Sequence, residues 1–142
     1  MDCQRISVEP KIQGYKKKAS TAIAQGDILG LDSSGFVLPA DASTTGNNIV
    51  GVSMETVLST DADYAGTREI AVDVAAKGGN GDRFLLEVGT GTPAQTHVGE
   101  AHDLSSAGKA DLDATTTKVI TVQKIRSATL IEVSFLNTGD PA

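Results

Sequence analysis

Gln25-Gly-Asp-Ile-Leu-Gly-Leu-Asp-Ser-Ser-Gly-Phe-Val-Leu-Pro-Ala40, followed after a polar loop by Ile49-Val-Gly-Val52, is the stretch that decides the fold class. Apolar residues at Ile28, Leu29, Leu31, Phe36, Val37 and Leu38 flank Asp32-Ser-Ser-Gly35, a polar turn with a glycine where φ can become positive. The pattern reads strand, tight turn, strand, loop, strand. None of these residues is a reacting group, so function has to come from what such a scaffold binds or assembles with.

The rest of the chain repeats this grammar. Arg68-Glu-Ile-Ala-Val-Asp-Val74 alternates, with Ile70, Val72 and Val74 on one face and Glu69, Ala71 and Asp73 on the other, as a half-buried strand does. Lys77-Gly-Gly-Asn-Gly-Asp82 is the strongest turn signal, and Arg83-Phe-Leu-Leu-Glu-Val88 follows as the next strand. Val119–Ile125 and Thr129–Phe135 flank Arg126-Ser-Ala128 as a hairpin, with Thr129, Ile131, Val133 and Phe135 on one face. Between Val88 and Val119, a short strand is expected around Val98 to Ala101 and a polar loop from Asp103 to Thr117. Apolar residues nowhere recur at helical spacing over three turns. The expected fold is therefore all-β: a single compact antiparallel barrel or sandwich of short strands with little helix. Its expected organisation is an N-terminal arm over 1–20, a β domain over 21–136 and a polar tail over 137–142.

Composition narrows the classes of function. The 142 residues suit one domain with its own core. A net charge of −6 argues against nucleic acid, whose phosphates are bound by lysine and arginine. Cys3 is the only cysteine, so no intramolecular disulfide forms. No apolar run has the length of a membrane span and none near Met1 reads as a signal peptide, which leads to the expectation of a cytoplasmically made protein without a membrane partner.

Clusters with chemical potential are few. His97 and His102, with Glu100 and Asp103, have the donor types of a zinc site. On a strand, however, positions 97 and 102 face opposite sides, so surface histidines beside a turn are expected and no metal or other cofactor. Asp61 and Asp63, and Asp111 and Asp113, have the alternating spacing of calcium loops, and Gly66 falls sixth from Asp61. The twelfth position is Val72 where the EF-hand has its glutamate, which leaves a solvated acidic loop. The glycines of 77–82 lack a following Walker lysine and helix, no Gly-x-Ser-x-Gly elbow is present, and Cys3 has no neighbouring base. No catalytic residue is expected.

Charge is uneven in a way that marks the N-terminus. Lys11, Lys16, Lys17 and Lys18 precede residue 20, while the acids are spread over the body. The arm has too few apolar side chains to offset the entropy of ordering it, and is expected to be mobile when free. Two docking modes fit it. Lys16 to Lys18, beside Ile12 and Tyr15, suit an acidic partner, and Ile6 to Val8 suit strand addition to a partner's sheet edge.

The order of Gly26-Asp27, apolar strand, Asp32 to Gly35, apolar strand ending at Pro39, polar loop and Ile49-Val-Gly-Val52 resembles the head decoration, or capsid cement, proteins of tailed bacteriophages, the lambda-like type and related small β-rich head proteins. Ala65-Gly-Thr-Arg-Glu-Ile-Ala-Val-Asp-Val74, the glycine turn and Arg83-Phe84 look like the next part of that pattern, so the likeness spans residues 20 to 88. After Val88 the chain is longer than the lambda-like fold requires. The resemblance implies a structural protein on the exterior of the virion, assembled in the bacterial host cytoplasm. It would be a homotrimer at three-fold or quasi-three-fold sites that binds the major capsid protein partly through its arm; here that arm would be Ile6, Val8, Lys11, Ile12, Tyr15, Lys16, Lys17 and Lys18, and its removal would abolish binding. The alternative is a carbohydrate-binding or adhesin-like β-module, which the absence of Trp and the presence of only Tyr15 and Tyr64 disfavour.

Overall fold

The computed structural model describes residues 3–6, 9–75 and 82–136, and it is all-β. Among these residues the strands are β1 (Gln4–Arg5), β2 (Ile12–Lys16), β3 (Ile28–Leu31), β4 (Val37–Pro39), β5 (Ile49–Ser53), β6 (Glu69–Val74), β7 (Arg83–Thr90), β8 (Ala101–Leu104), β9 (Ala110–Asp111), β10 (Ile120–Ile125) and β11 (Leu130–Phe135). Two single 3₁₀ turns, at Gly46–Asn48 and Gln95–His97, are the only helical elements among the described residues.

The strands form two sheets. One has the order β2-β6-β5-β3-β4, and a bridge from Lys17 to Val37 draws its two ends together. The other has the order β1-β7-β11-β10-β8-β9, and β9 pairs back onto β7, so that β7, β11, β10, β8 and β9 close into a five-stranded barrel. Closure removes the edges that would otherwise template aggregation.

The opening stretch folds as its pattern requires. β3 pairs with β4 across the Asp32–Gly35 turn, and β5 lies on the other side of β3. Gly35 has φ +86°, and the Asp32 carboxylate accepts from the amides of Ser34 (2.8 Å) and Phe36 (3.0 Å), which fixes the reversal. Those bonds, the Phe36 amide foremost, hold the Asp32 carboxyl below its ordinary range. A register shift against β3 sends Val50 to one side of the sheet and Ile49 and Val52 to the other.

That division defines two cores. Leu29, Val37, Val50, Ile70 and Val72, with Ile23 and Val57, fill the inside of the curled first sheet. Ile28, Ile49 and Val52 instead meet Phe84, Leu86, Leu104, Ile120, Val122, Ile131, Val133 and Phe135 from the second sheet. Phe84 and Phe135 stack tilted with centroids 5.2 Å apart. β5 and β6 approach closely at Gly51, where an added Cβ would fall 2.0 Å from the carbonyl oxygen of Asp73. Gly51→Ala is expected to cost about 1–3 kcal/mol by forcing that ladder apart, read as a lower denaturation midpoint; an unchanged midpoint would mean that β5 and β6 separate freely.

Three sequence expectations change. The described residues of the expected arm, 3–6 and 9–20, are not detached, because β1 pairs with β7 and β2 pairs with β6 over its whole length, Ile12 to Asp73 through Lys16 to Glu69. Main-chain bonding to a half-buried neighbour supplies order that the side chains of Gln13, Gly14 and Lys16 do not advertise. The strand expected at Val98 to Ala101 lies at Ala101–Leu104, and the loop expected from Asp103 to Thr117 contains β9. Asp103 starts that segment as a buried carboxylate, accepting from the amides of Thr116, Thr117 and Lys118 at 3.1, 2.8 and 2.8 Å. Val8, residues 77–81 of the glycine turn and the tail over 137–142 lie outside the described residues.

Candidate functional site

β2 and its flanks, from Lys11 to Lys18, carry most of the residues singled out in the sequence. Lys17 donates its amide to Arg68 and Lys11 accepts from the amide of Val74, so the odd-numbered residues of β2 bond inward to β6. Strict alternation then turns the main-chain N–H and C=O of Ile12, Gly14 and Lys16 outward. β2 also ends the sheet order, and among the described residues its outer edge meets β4, at the other end of the same sheet, where Lys18 donates to Val37 beside the Lys17 bridge. Ile12 is 51% exposed, and Lys16 and Lys18 are exposed on the same side of the ribbon. Lys11 reaches Asp82 (3.5 Å) and Lys18 reaches Asp32 (3.8 Å), both as exposed cations. Ile6 is partly exposed after β1, and Tyr15 is half-buried against the first core.

Lys17 is different from its neighbours. It is fully buried, and its ammonium donates to the carbonyl oxygens of Lys18 (2.8 Å), Tyr64 (2.7 Å) and Gly66 (3.0 Å), with the Tyr64 ring 5.5 Å away. Burial lowers its pKa against the opposing pull of nearby Asp63. This corrects its expected role: Lys17 pins the loop around Tyr64 to β2 and presents no charge to a partner. The expected solvated acids of that loop are also engaged. Asp61 accepts from the Leu58 amide (2.7 Å) and Asp63 pairs with Arg68 (2.7 Å), as ordinary turn and surface contacts.

Beneath the N-terminal segment lies an ionic cluster. The Arg5 guanidinium meets Asp73 through Nε (2.8 Å) and Nη2 (2.6 Å), and Asp82 through Nη1 (3.0 Å), with all three side chains almost wholly buried. Hydrogen bonding to Asp73 raises the Arg5 pKa further above its already high value. The guanidinium also lies over the Phe84 ring at 5.0 Å. Beside the cluster, a cleft of about 360 Å³ is lined by Cys3, Arg5, Pro10, Gly26, Met54 and Asp73. Cys3 itself is buried, with its amide bonded to Gly26.

At β8 the structure brings together a group that strand geometry had separated. Residues 95–97 form a 3₁₀ turn and Gly99 takes φ +88°, so the chain reverses before β8 and returns His97 to His102. The two rings meet edge to face at 5.4 Å, and donor atoms of His97, Glu100 and His102 all lie within 4.8 Å of one another. Gly99, two residues after His97, was the available signal of a reversal.

Neither a protein-family model nor a curated protein gives a match to this chain.

Proposed function

We propose that the chain is a structural protein of a bacteriophage virion that binds the outside of the capsid and stabilises the shell, as a homotrimer at three-fold or quasi-three-fold sites. The observation that carries this reading is β2: one strand of a largely self-closed β body keeps an open outer edge, with Ile12, Lys16 and Lys18 exposed beside it. An open edge offers main-chain donors and acceptors to a strand of the major capsid protein, and the neighbouring side chains give selectivity. Many copies on one shell multiply a modest contact. In this reading the partner is protein, neither nucleic acid nor membrane, and the acidic body is unfavourable to nucleic acid.

The fold changes the experiment that tests the reading. Deleting residues 1–18 would remove β2 and the Lys17 anchor, so lost binding would report lost structure. Ile12→Asp with Lys16→Glu alters only exposed positions and should leave stability within about 0.5 kcal/mol. The double variant is expected to lose binding to purified heads while retaining a solution mass of three chains. Head binding at full strength would exclude β2 as the contact.

A further inference from the structure

We propose that His97, Glu100 and His102 form a binding site for a divalent transition-metal ion of the zinc type. The inference is independent of the capsid reading.

The strongest argument is the pair of oxygens that face the two ring nitrogens of His102. Its ring is almost wholly buried, with Nδ1 3.3 Å from the carbonyl oxygen of Ala114 and Nε2 3.2 Å from Oε1 of Glu100. A carbonyl and an ionised carboxylate only accept, and a neutral imidazole has one N–H to give. If the ring is neutral, one nitrogen directs a lone pair at an oxygen unless a cation lies between them. A metal at Nε2 resolves the conflict, because Nδ1–H then donates to Ala114, the outer contact that commonly orients metal-binding histidines. The 3.2 Å between Nε2 and Oε1 is near the lower end of the tetrahedral edge of about 3.3–3.6 Å that zinc–ligand bonds of about 2.0–2.2 Å produce.

His97 supplies the third donor. Its Nδ1 accepts from the exposed amide of Ala94 at 3.0 Å, a bond that water can replace when the ring turns toward the ion. The main chain around the three residues is already fixed: Glu100 donates to His97 (3.0 Å), Gly99 donates to Val122 (2.8 Å), and Val122 donates to Glu100 (3.0 Å). Two imidazoles and one carboxylate with a fourth position open to solvent is a donor set of zinc. The ion would tie the turn over 95–99 to β8 and β10.

A doubly protonated His102 would satisfy the same two oxygens without His97, so the experiment has to separate proton from metal. These are the chain's two histidines, which makes untagged full-length protein suitable. Calorimetric titration with zinc at neutral pH is expected to show one ion per chain, and cobalt(II) a visible absorption of tetrahedral type. His97→Ala and Glu100→Gln change residues at the solvent side and should fold normally. Each is expected to weaken zinc binding at least as much as the roughly 10- to 100-fold that loss of an outer contact costs a metal site. Zinc should raise the unfolding midpoint of the parent chain and not that of Glu100→Gln. Absence of binding by the folded parent chain, or unchanged affinity in both variants, would overturn the proposal.

Discussion

Asp73→Ala is expected to lower the stability of the fold by about 3–5 kcal/mol, the cost of breaking a buried ion pair by removing one partner. Asp73 receives two bonds from Arg5 and one from the amide of Lys11 at 3.2 Å. Without it the guanidinium keeps Asp82 and the carbonyl oxygen of Val74, but its most strongly bonded side is left dry and unpaired. Arg5 belongs to β1 on the second sheet and Asp73 to β6 on the first, so the variant should also loosen the junction between them. Lys11→Ala, which removes an exposed cation from the same cluster, should cost less than about 1 kcal/mol. Replacing Arg5 and Asp73 together by Met and Leu should recover much of the loss, because neither charge is then stranded. Urea denaturation of the four proteins measures all of this. Equal losses for Asp73→Ala and Lys11→Ala would show that the cluster is hydrated.

Lys17→Met is expected to cost about 3 kcal/mol, whereas Lys16→Met and Lys18→Met should stay within about 0.5 kcal/mol. Methionine fills the channel but gives no hydrogen bond to the oxygens of Lys18 and Gly66; Tyr64 retains the amide of Ser20 at 3.1 Å. Two orphaned carbonyl groups at about 1–3 kcal/mol each set the magnitude. The pH dependence has a defined sign. Burial depresses the Lys17 pKa in the folded chain, so between that value and the ordinary 10.5 the unfolded chain binds more protons, and this residue's contribution to stability rises with pH. It is lost as pH falls through the folded value. Denaturation of parent and Lys17→Met between neutral pH and pH 10 should show their difference widening, and a difference that narrows would contradict a desolvated ammonium.

The parts of the fold legible in the sequence are those where side-chain alternation and burial coincide. Ile70 and Val72 enter a core as their spacing predicts, as do Ile131, Val133 and Phe135, and Asp32–Gly35 makes the turn its residues favour. β2 was not legible, because Gln13, Gly14 and Lys16 owe their place to main-chain bonds with β6. Three consecutive lysines look alike as charge; only the parity shared with Tyr15 hints that Lys17 points inward. Asp73 and Asp103 carry no local signal of burial for the same reason, since their partners, Arg5 and the amides over 116–118, are far away in sequence. The histidine group was hidden by treating residues 97–102 as extended, when a 3₁₀ turn and Gly99 fold them back.

Co-sedimentation of the chain with expanded bacteriophage heads purified without their decoration protein tests the capsid proposal most directly. Saturable pelleting at three chains per three-fold site, and heads that then resist heat or loss of salt, are predicted. A chain that stays in the supernatant at saturating concentration would contradict the proposal.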